Sequence, residues 1–320
     1  MSMGFLLGLL SSATFGLIPL FSLPLLHAGV TAETALFYRF AIASLALGSI
    51  LALRRERFAL RGIDLCKLAG LSLMYMLAAL LLFWAFSYLP SGIAATIQFL
   101  YPVMVMLIMV CFFGERFAWS TALAIVLAVG GVALLSSGGG AEGKSLSLLG
   151  VGMMLLSSLC NALYIVGLQI ARIPNISGLM ITFWVMLCSA VLALGNAVLA
   201  DRFQMLTGLR ELGLAVLLAL ITAVLSNWTL ILAIQRIGST LSSVLGVLEP
   251  LTAVLVGVAV FGEPFGLPLV GGVSLIASSV LLVMLGGQIP VWWARRQGHE
   301  VLPECLHLQA ESPAHRPRQG

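Results

Sequence analysis

The stretch Ser239–Glu263, STLSSVLGVLEPLTAVLVGVAVFGE, is an apolar helix with one carboxylate, Glu249, near its middle and a proline directly after it. The same stretch occurs once earlier, as Ser91–Glu115, SGIAATIQFLYPVMVMLIMVCFFGE. Both run from a small, polar start through a central proline, Pro102 or Pro250, to Phe-Gly-Glu. The offset between the copies is 148 residues at the proline and at the final glutamate. Two copies in register over a full helix point to an internal duplication. The first copy has Tyr101 where the second has Glu249, so the central acid marks a place where the copies diverged.

Working outward, the composition sets the class. The chain has 320 residues, 61% hydrophobic and only 9% charged. A soluble domain carries about 25% charged residues. Apolar runs of about 20 residues, each able to cross a hydrocarbon core of ~30 Å, recur almost from end to end. They are apolar all round rather than alternating, which excludes a transmembrane β-barrel. We therefore expect an all-α polytopic membrane protein.

Ten spans can be placed: Gly4–Leu25, Thr34–Leu53, Leu65–Leu89, Gly92–Phe113, Trp119–Ser136, Leu148–Ala171, Gly178–Leu199, Leu212–Ile234, Ser239–Phe261 and Leu267–Leu285. The N-terminal run has no basic residues before it, so it reads as the first span rather than a cleaved signal. The connections Leu89-Pro90-Ser91 and Arg236-Ile237-Gly238 are very short and force antiparallel neighbours. With the N-terminus inside, twelve of the sixteen Lys and Arg residues fall on the inner side. Three, Lys144, Arg202 and Arg210, fall outside, and Arg39 lies within a span. Basic residues concentrate on the cytoplasmic side, so both termini are expected there. The net charge of +4 is thus a matter of topology and gives no reason to expect a nucleic-acid partner.

The duplication extends beyond the fourth helix. Gly4-Phe5-Leu6-Leu7-Gly8-Leu9-Leu10-Ser11-Ser12 aligns with Gly150-Val151-Gly152-Met153-Met154-Leu155-Leu156-Ser157-Ser158 at an offset of 146. The chain then divides into a first five-helix repeat at 1–136, a Gly/Ser-rich outer linker at 137–147, a second repeat at 148–286 and a tail at 287–320. An odd number of spans per unit makes the two units face opposite ways, the inverted-repeat plan of many secondary transporters. The tail begins with Trp292, Trp293, Arg295 and Arg296, an interfacial anchor, and then becomes polar and Pro-containing, the composition of a disordered segment.

These features together resemble the EamA-type family of the drug/metabolite transporter superfamily. The resemblance rests on the two Pro…Phe-Gly-Glu helices, on Tyr38-Arg39, on Leu248-Glu249-Pro250, and on Gly130-Gly131 and Gly271-Gly272. It covers about Gly4–Leu285. It implies a ten-helix exporter of small metabolites in a bacterial inner (plasma) membrane, with the first four helices of each unit lining the path.

Glu249 is the sharpest candidate. It lies ten residues into its span, about 15 Å deep at 1.5 Å per residue. An ionised carboxylate there must be paired, wetted or protonated. It can carry a proton or meet a cationic substrate group, or it can serve packing alone by bonding a neighbouring helix. Pro250 cannot donate to the Gly246 carbonyl, which adds an acceptor beside the acid. Arg39, whose counterpart is Val185, either faces a cavity and meets a carboxylate or phosphate, or snorkels outward or is tied to backbone carbonyls. Gln98 and Tyr101 share a helical face, are the counterparts of Gly246 and Glu249, and either line a substrate pocket or make an interhelical hydrogen bond. Asn161 with Tyr164, and Asn227 with Trp228, add polar and aromatic groups suited to a binding path, although each can equally be interhelical glue. Trp84, Tyr88 and Trp119 sit at span ends and read as interfacial belt, or else as a gate. Glu115 and Glu263 read as caps to the next helix or as gate pairs. Gly4…Gly8, Ala124…Ala128 and Ser274…Ser278 are small-residue patterns for close helix contact.

No Walker-type GxxxxGK[ST], HExxH, GxSxG or intramembrane aspartate pair occurs, and the five cysteines have neither metal-ligand nor redox spacing. The sequence therefore predicts no enzyme, no cofactor and no metal. The expected partners are a small-molecule substrate and the lipid bilayer. The alternatives are a lipid- or sugar-linked translocator and a non-transporting receptor or scaffold.

Overall fold

The computed structural model describes residues 2–56, 60–113, 119–138, 147–171, 177–263 and 265–286. The linker at 137–147 and the tail at 287–320 lie wholly or mostly outside these residues, as do Glu115 and Arg116. Every regular element among the described residues is helical. The first half comprises α1 (Ser2–Gly16), α2 (Ile18–His27), α3 (Ala32–Leu53), α4 (Gly62–Ala85), α5 (Ser91–Gln98), α6 (Tyr101–Phe113) and α7 (Trp119–Gly138). The second comprises α8 (Leu148–Ala171), α9 (Gly178–Leu199), α10 (Leu209–Ala219), a π-helical turn at Leu220–Leu225, α11 (Ser226–Leu245), α12 (Leu248–Phe261) and α13 (Leu267–Gly286).

Seven helical stretches are long and apolar enough to cross a membrane, and Ala122–Leu135, Leu248–Phe261 and Leu267–Leu282 are shorter apolar helices. Their outward faces are apolar too: Leu45, Val191 and Leu255 are each about two-thirds exposed or more (71%, 65% and 67%). Water would penalise so continuous an apolar exterior, and hydrocarbon would not.

The expected spans are not all single helices. The first breaks at Leu17, ahead of Pro19. The fourth breaks at Phe99-Leu100, between α5 and α6. The ninth breaks at Gly246-Val247, ahead of α12. Each proline, Pro102 or Pro250, sits in the first turn of the following segment, where its missing N–H leaves no partner unsatisfied. The eighth span contains the π turn, which the sequence reading did not foresee. α11 cannot be straight. A Cβ on Gly8 would lie 3.7 Å from the Cβ atoms of both Ala233 and Leu245. Twelve residues of straight helix extend about 18 Å, so the chain must fold back between them. The short connection at Arg236-Ile237-Gly238 falls in this interval.

Helix pairing follows the duplication. α3 packs on α9 and α7 on α13, joining equivalent helices of the two halves. α1 packs on α11 and α12, and in the same way α8 packs on α4 and α6. The α3–α9 pair is antiparallel, and both of its ends are tied at equivalent positions. Thr31, the N-cap of α3, donates its hydroxyl to the Arg202 carbonyl at 2.7 Å, just past α9. Ser177, the N-cap of α9, donates to Glu56 Oε2 at 2.8 Å, just past α3. Arg55 and Asp201, 146 residues apart, have matching left-handed backbones with φ of 54° and 53°. The two ends of the bundle are named below for Arg54 and Arg202.

Small residues set the close approaches, with one correction. Gly4 and Gly8 press against α11 as the spacing suggests. Ala124 and Ala128 are buried, but Ser274 and Ser278 are exposed. The contact on α13 is made one register over. There Gly272 meets Gly131, and Ser279 donates to the Ala124 carbonyl at 2.6 Å. A helix that is apolar all round does not reveal which stripe faces protein and which faces lipid.

Candidate functional site

The two broken helices meet at the centre of the bundle, and the halves differ there. In the first half, Ser157 of α8 donates to the Ala78 carbonyl and is also hydrogen-bonded to Gln98 Oε1, both at 2.6 Å. Ser158 donates to the carbonyls of Ile97 and Gln98. Gln98 and its break are therefore filled and tied. In the second half, Ser11 donates to the Ser226 carbonyl at 2.9 Å, the equivalent of the Ser157–Ala78 bond. Gln98 has Gly246 as its counterpart, which offers no side chain.

A cavity of about 430 Å³ opens beside that gap. Glu249, Tyr101, Asn161, Tyr164 and Asn227 all line it. It extends along α8, α9 and α11 to Leu168, Gly178 and Ile231, and so reaches the Arg54 end. Glu249 lies in the first turn of α12, where the helix dipole favours a negative charge. Gly16 holds α1 against this turn: a Cβ there would come within 2.5 Å of the Glu249 carbonyl oxygen. Asn227 is fixed by donating to the Ala223 carbonyl at 2.6 Å, within the π turn. π turns inside α-helices recur at functional sites because they re-aim the following side chains.

Three candidates do not line this cavity. Gln98 is held by Ser157, which makes it the interhelical tie between α5 and α8. Trp228 points to the Arg54 end, with the Arg54 guanidinium 5.7 Å from its ring centre. Arg39 is 3% exposed, so it does not snorkel. Its Nε has no hydrogen-bond partner among the described residues, and its guanidinium lies 6.0 Å from the Phe40 ring centre. Arg39 thus lies beside Phe40, which packs on Tyr75 of the cavity lining.

The sequence reading missed Ser11, Ser12, Tyr75 and Thr182, which also line the cavity. Tyr75 stacks at 5.1 Å from Tyr164 and 5.8 Å from Phe40, joining the cavity to the Arg39 layer. Ser11 and Ser12 were visible as one half of the repeated Ser-Ser pair, and that pairing was the available signal. A further expectation needs correction: the Gly246 carbonyl is not free, because it accepts from the Glu249 N–H at 2.9 Å.

At the Arg202 end, Glu263 clasps α5. Glu263 accepts from the Ser91 N–H at 2.5 Å, the Ser91 hydroxyl at 2.6 Å and the Gly92 N–H at 3.1 Å. It therefore caps α5, 172 residues distant, and not the helix that follows it. Gly92 and Gly257 allow the approach, since a Cβ on Gly92 would lie 3.0 Å from Val254 Cα.

A duplicated bundle of apolar helices, broken at its centre around a cavity with one acid, has the architecture of a membrane transporter. The family model described as the EamA-like transporter family matches residues 2–137 and 148–285, one match per repeat, and the chain belongs to that family. A solved structure described only as the crystal structure of a protein is similar over 93% of this chain and 99% of its own, with a TM-score of 0.62 and 18% identity. At that identity the likeness establishes the fold alone. No curated protein matches the sequence significantly.

Proposed function

We propose that the protein is a secondary transporter that exports small amphipathic metabolites, amino acids or related organic compounds among them, by alternating access. The carrying observation is the cavity of about 430 Å³ that ends at Glu249 and reaches one end of the bundle while Glu263 clasps the other. Its volume is in the range of small-molecule sites, which run from about 300 to 1,000 Å³. In this reading the shorter helices complete ten crossings, arranged as two inverted five-helix units. The Arg54 end, rich in basic residues, faces the cytoplasm with both termini.

Glu249, Tyr101, Asn161, Tyr164 and Asn227 form the binding wall. Glu249 receives a cationic group or a proton, and Arg39 completes a field of opposite charges across the Tyr75 layer. A molecule bearing both an ammonium and a carboxylate fits that field best. Proton coupling follows if Glu249 takes up a proton on one side and loses it on the other. Rocking of the two units releases the Glu263 clasp and opens the Arg202 end.

The test is uptake and counterflow in proteoliposomes with a panel of amino acids and related metabolites, with and without a pH gradient. The reading predicts counterflow for at least one compound and its acceleration by the gradient. Counterflow indifferent to the gradient removes proton coupling. Silence across the panel, by a protein shown to be folded, removes the substrate class.

A further inference from the structure

A second cavity, of about 530 Å³, lies at the Arg202 end, between the ends of α3, α4, α8 and α9. It is built around Glu33, which is 2% exposed, and Arg202, whose side chain is half-exposed. Arg202 Nη1 donates to Glu33 Oε1 at 3.0 Å. The Arg202 backbone carbonyl is gripped by the hydroxyls of Thr31 and Thr34, so the position of this pair is fixed. Trp84, Ser87, Tyr88 and Asn196 complete the polar and aromatic lining. The sequence marks Trp84 and Tyr88 as interfacial belt or gate, and it does not single out Glu33 or Asn196.

The duplication shows that this chemistry is not required by the fold. At the offset of 146 that holds along α3 and α9, Glu33 corresponds to Leu179 and Asn196 to Ile50. Both counterparts serve the same antiparallel helix pair at its other end without a polar side chain. A buried acid is costly where leucine suffices for packing; Arg202 offsets that cost by pairing with one oxygen, and Glu33 still lines the cavity. The remaining oxygen of Glu33 together with aromatic rings is an environment for an ammonium group. The guanidinium N–H groups of Arg202 that Glu33 does not take suit a carboxylate or phosphate.

We propose that this cavity is a second binding site, separate from the one at Glu249, for a head group carrying an ammonium beside an anion. Two sources supply that chemistry: a zwitterionic solute such as an amino acid, and the head of a phosphatidylethanolamine in the adjacent leaflet. The site binds whichever it takes without requiring transport, so it can be tested even if the proposed function fails.

The experiment is calorimetric titration of the full-length protein in phosphatidylglycerol nanodiscs, with leucine and with glycerophosphoethanolamine as probes. Wild type and the Glu33→Gln, Asn196→Ile and Glu249→Gln variants are compared. At least one probe is expected still to bind Glu249→Gln, where the amino-acid site of the proposed function is disabled, and to bind roughly tenfold more weakly once Glu33→Gln is added, the scale of one charge-assisted hydrogen bond. Asn196→Ile installs the residue found at the equivalent position, so it keeps the fold and provides the weakening if Glu33→Gln does not assemble. Leucine binding that persists in Glu249→Gln identifies a solute site. Glycerophosphoethanolamine binding that disappears when phosphatidylethanolamine is added to the discs identifies a lipid site. The proposal is overturned if neither probe binds. It is also overturned if binding in the Glu249→Gln background survives the addition of Glu33→Gln and of Asn196→Ile, or if Glu249→Gln alone abolishes the binding of both probes.

Discussion

Around Pro102 the broken helix is filled: Gln98 meets Ser157, and the carbonyls of Ile97 and Gln98 accept from Ser158. Around Pro250 the same break is hollow, with Gly246 in place of Gln98 and Glu249 in place of Tyr101. The scaffold bonds nevertheless persist in both halves, as Ser157 to Ala78 and Ser11 to Ser226. Duplication thus supplies an internal control. What both copies keep is architecture, and what one copy changes is where a cavity and a charge were introduced. The Arg202 end teaches the same lesson, because Glu33 and Asn196 stand where the other copy has apolar residues.

The comparison can be broken by making the hollow half resemble the filled one. Gly246→Gln should place an amide in the cavity beside Glu249 and reduce counterflow to background while the protein remains monodisperse. Wild-type counterflow by this variant would mean that the cavity is not the path. Arg39→Met should weaken transport by roughly one to two orders of magnitude, because the buried charge beside the proposed binding wall is lost. The check is counterflow per folded molecule, and an unchanged rate would assign Arg39 to packing. Glu263→Gln should loosen the clasp on α5, since hydrogen bonds to a charged group contribute about 1.5–3 kcal/mol each. The expected readout is roughly tenfold faster labelling of a cysteine placed at Val254, in a chain freed of its native cysteines. The smallest effect on function should come from Gly272→Ala, far from the cavity. Its Cβ would lie 3.1 Å from the Gly131 carbonyl oxygen. Thermal unfolding should report a loss of about 1–3 kcal/mol, with counterflow within about twofold of wild type.

Much of this was legible before the coordinates. The repeat at an offset of 148, the apolar composition and the lone acid on the ninth span led to the helical class, the family and Glu249. These signals survive because hydrophobic length and a charge within it have few physical explanations. The facing of each helix was not legible. Ser274 and Ser278 looked like contact residues and are exposed, whereas Ser11, Ser12 and Tyr75 gave no polar signal strong enough to stand out. In an aqueous protein the polar stripe marks the outside, but in this chain both the lipid side and the packed side are apolar, so periodicity carries little information. The π turn at Leu220–Leu225 was hidden for a related reason: a single extra residue in a helical turn leaves composition unchanged.

The central claim is that the acid introduced into the second copy, and not its tyrosine counterpart in the first, carries the chemistry of transport. Counterflow in proteoliposomes across a range of pH, comparing Glu249→Gln with Tyr101→Phe, tests it most directly. The account predicts that Glu249→Gln falls to background at every pH with normal membrane abundance, while Tyr101→Phe keeps a measurable fraction of wild-type activity. A Glu249→Gln protein that exchanges substrate at the wild-type rate across that range would contradict it.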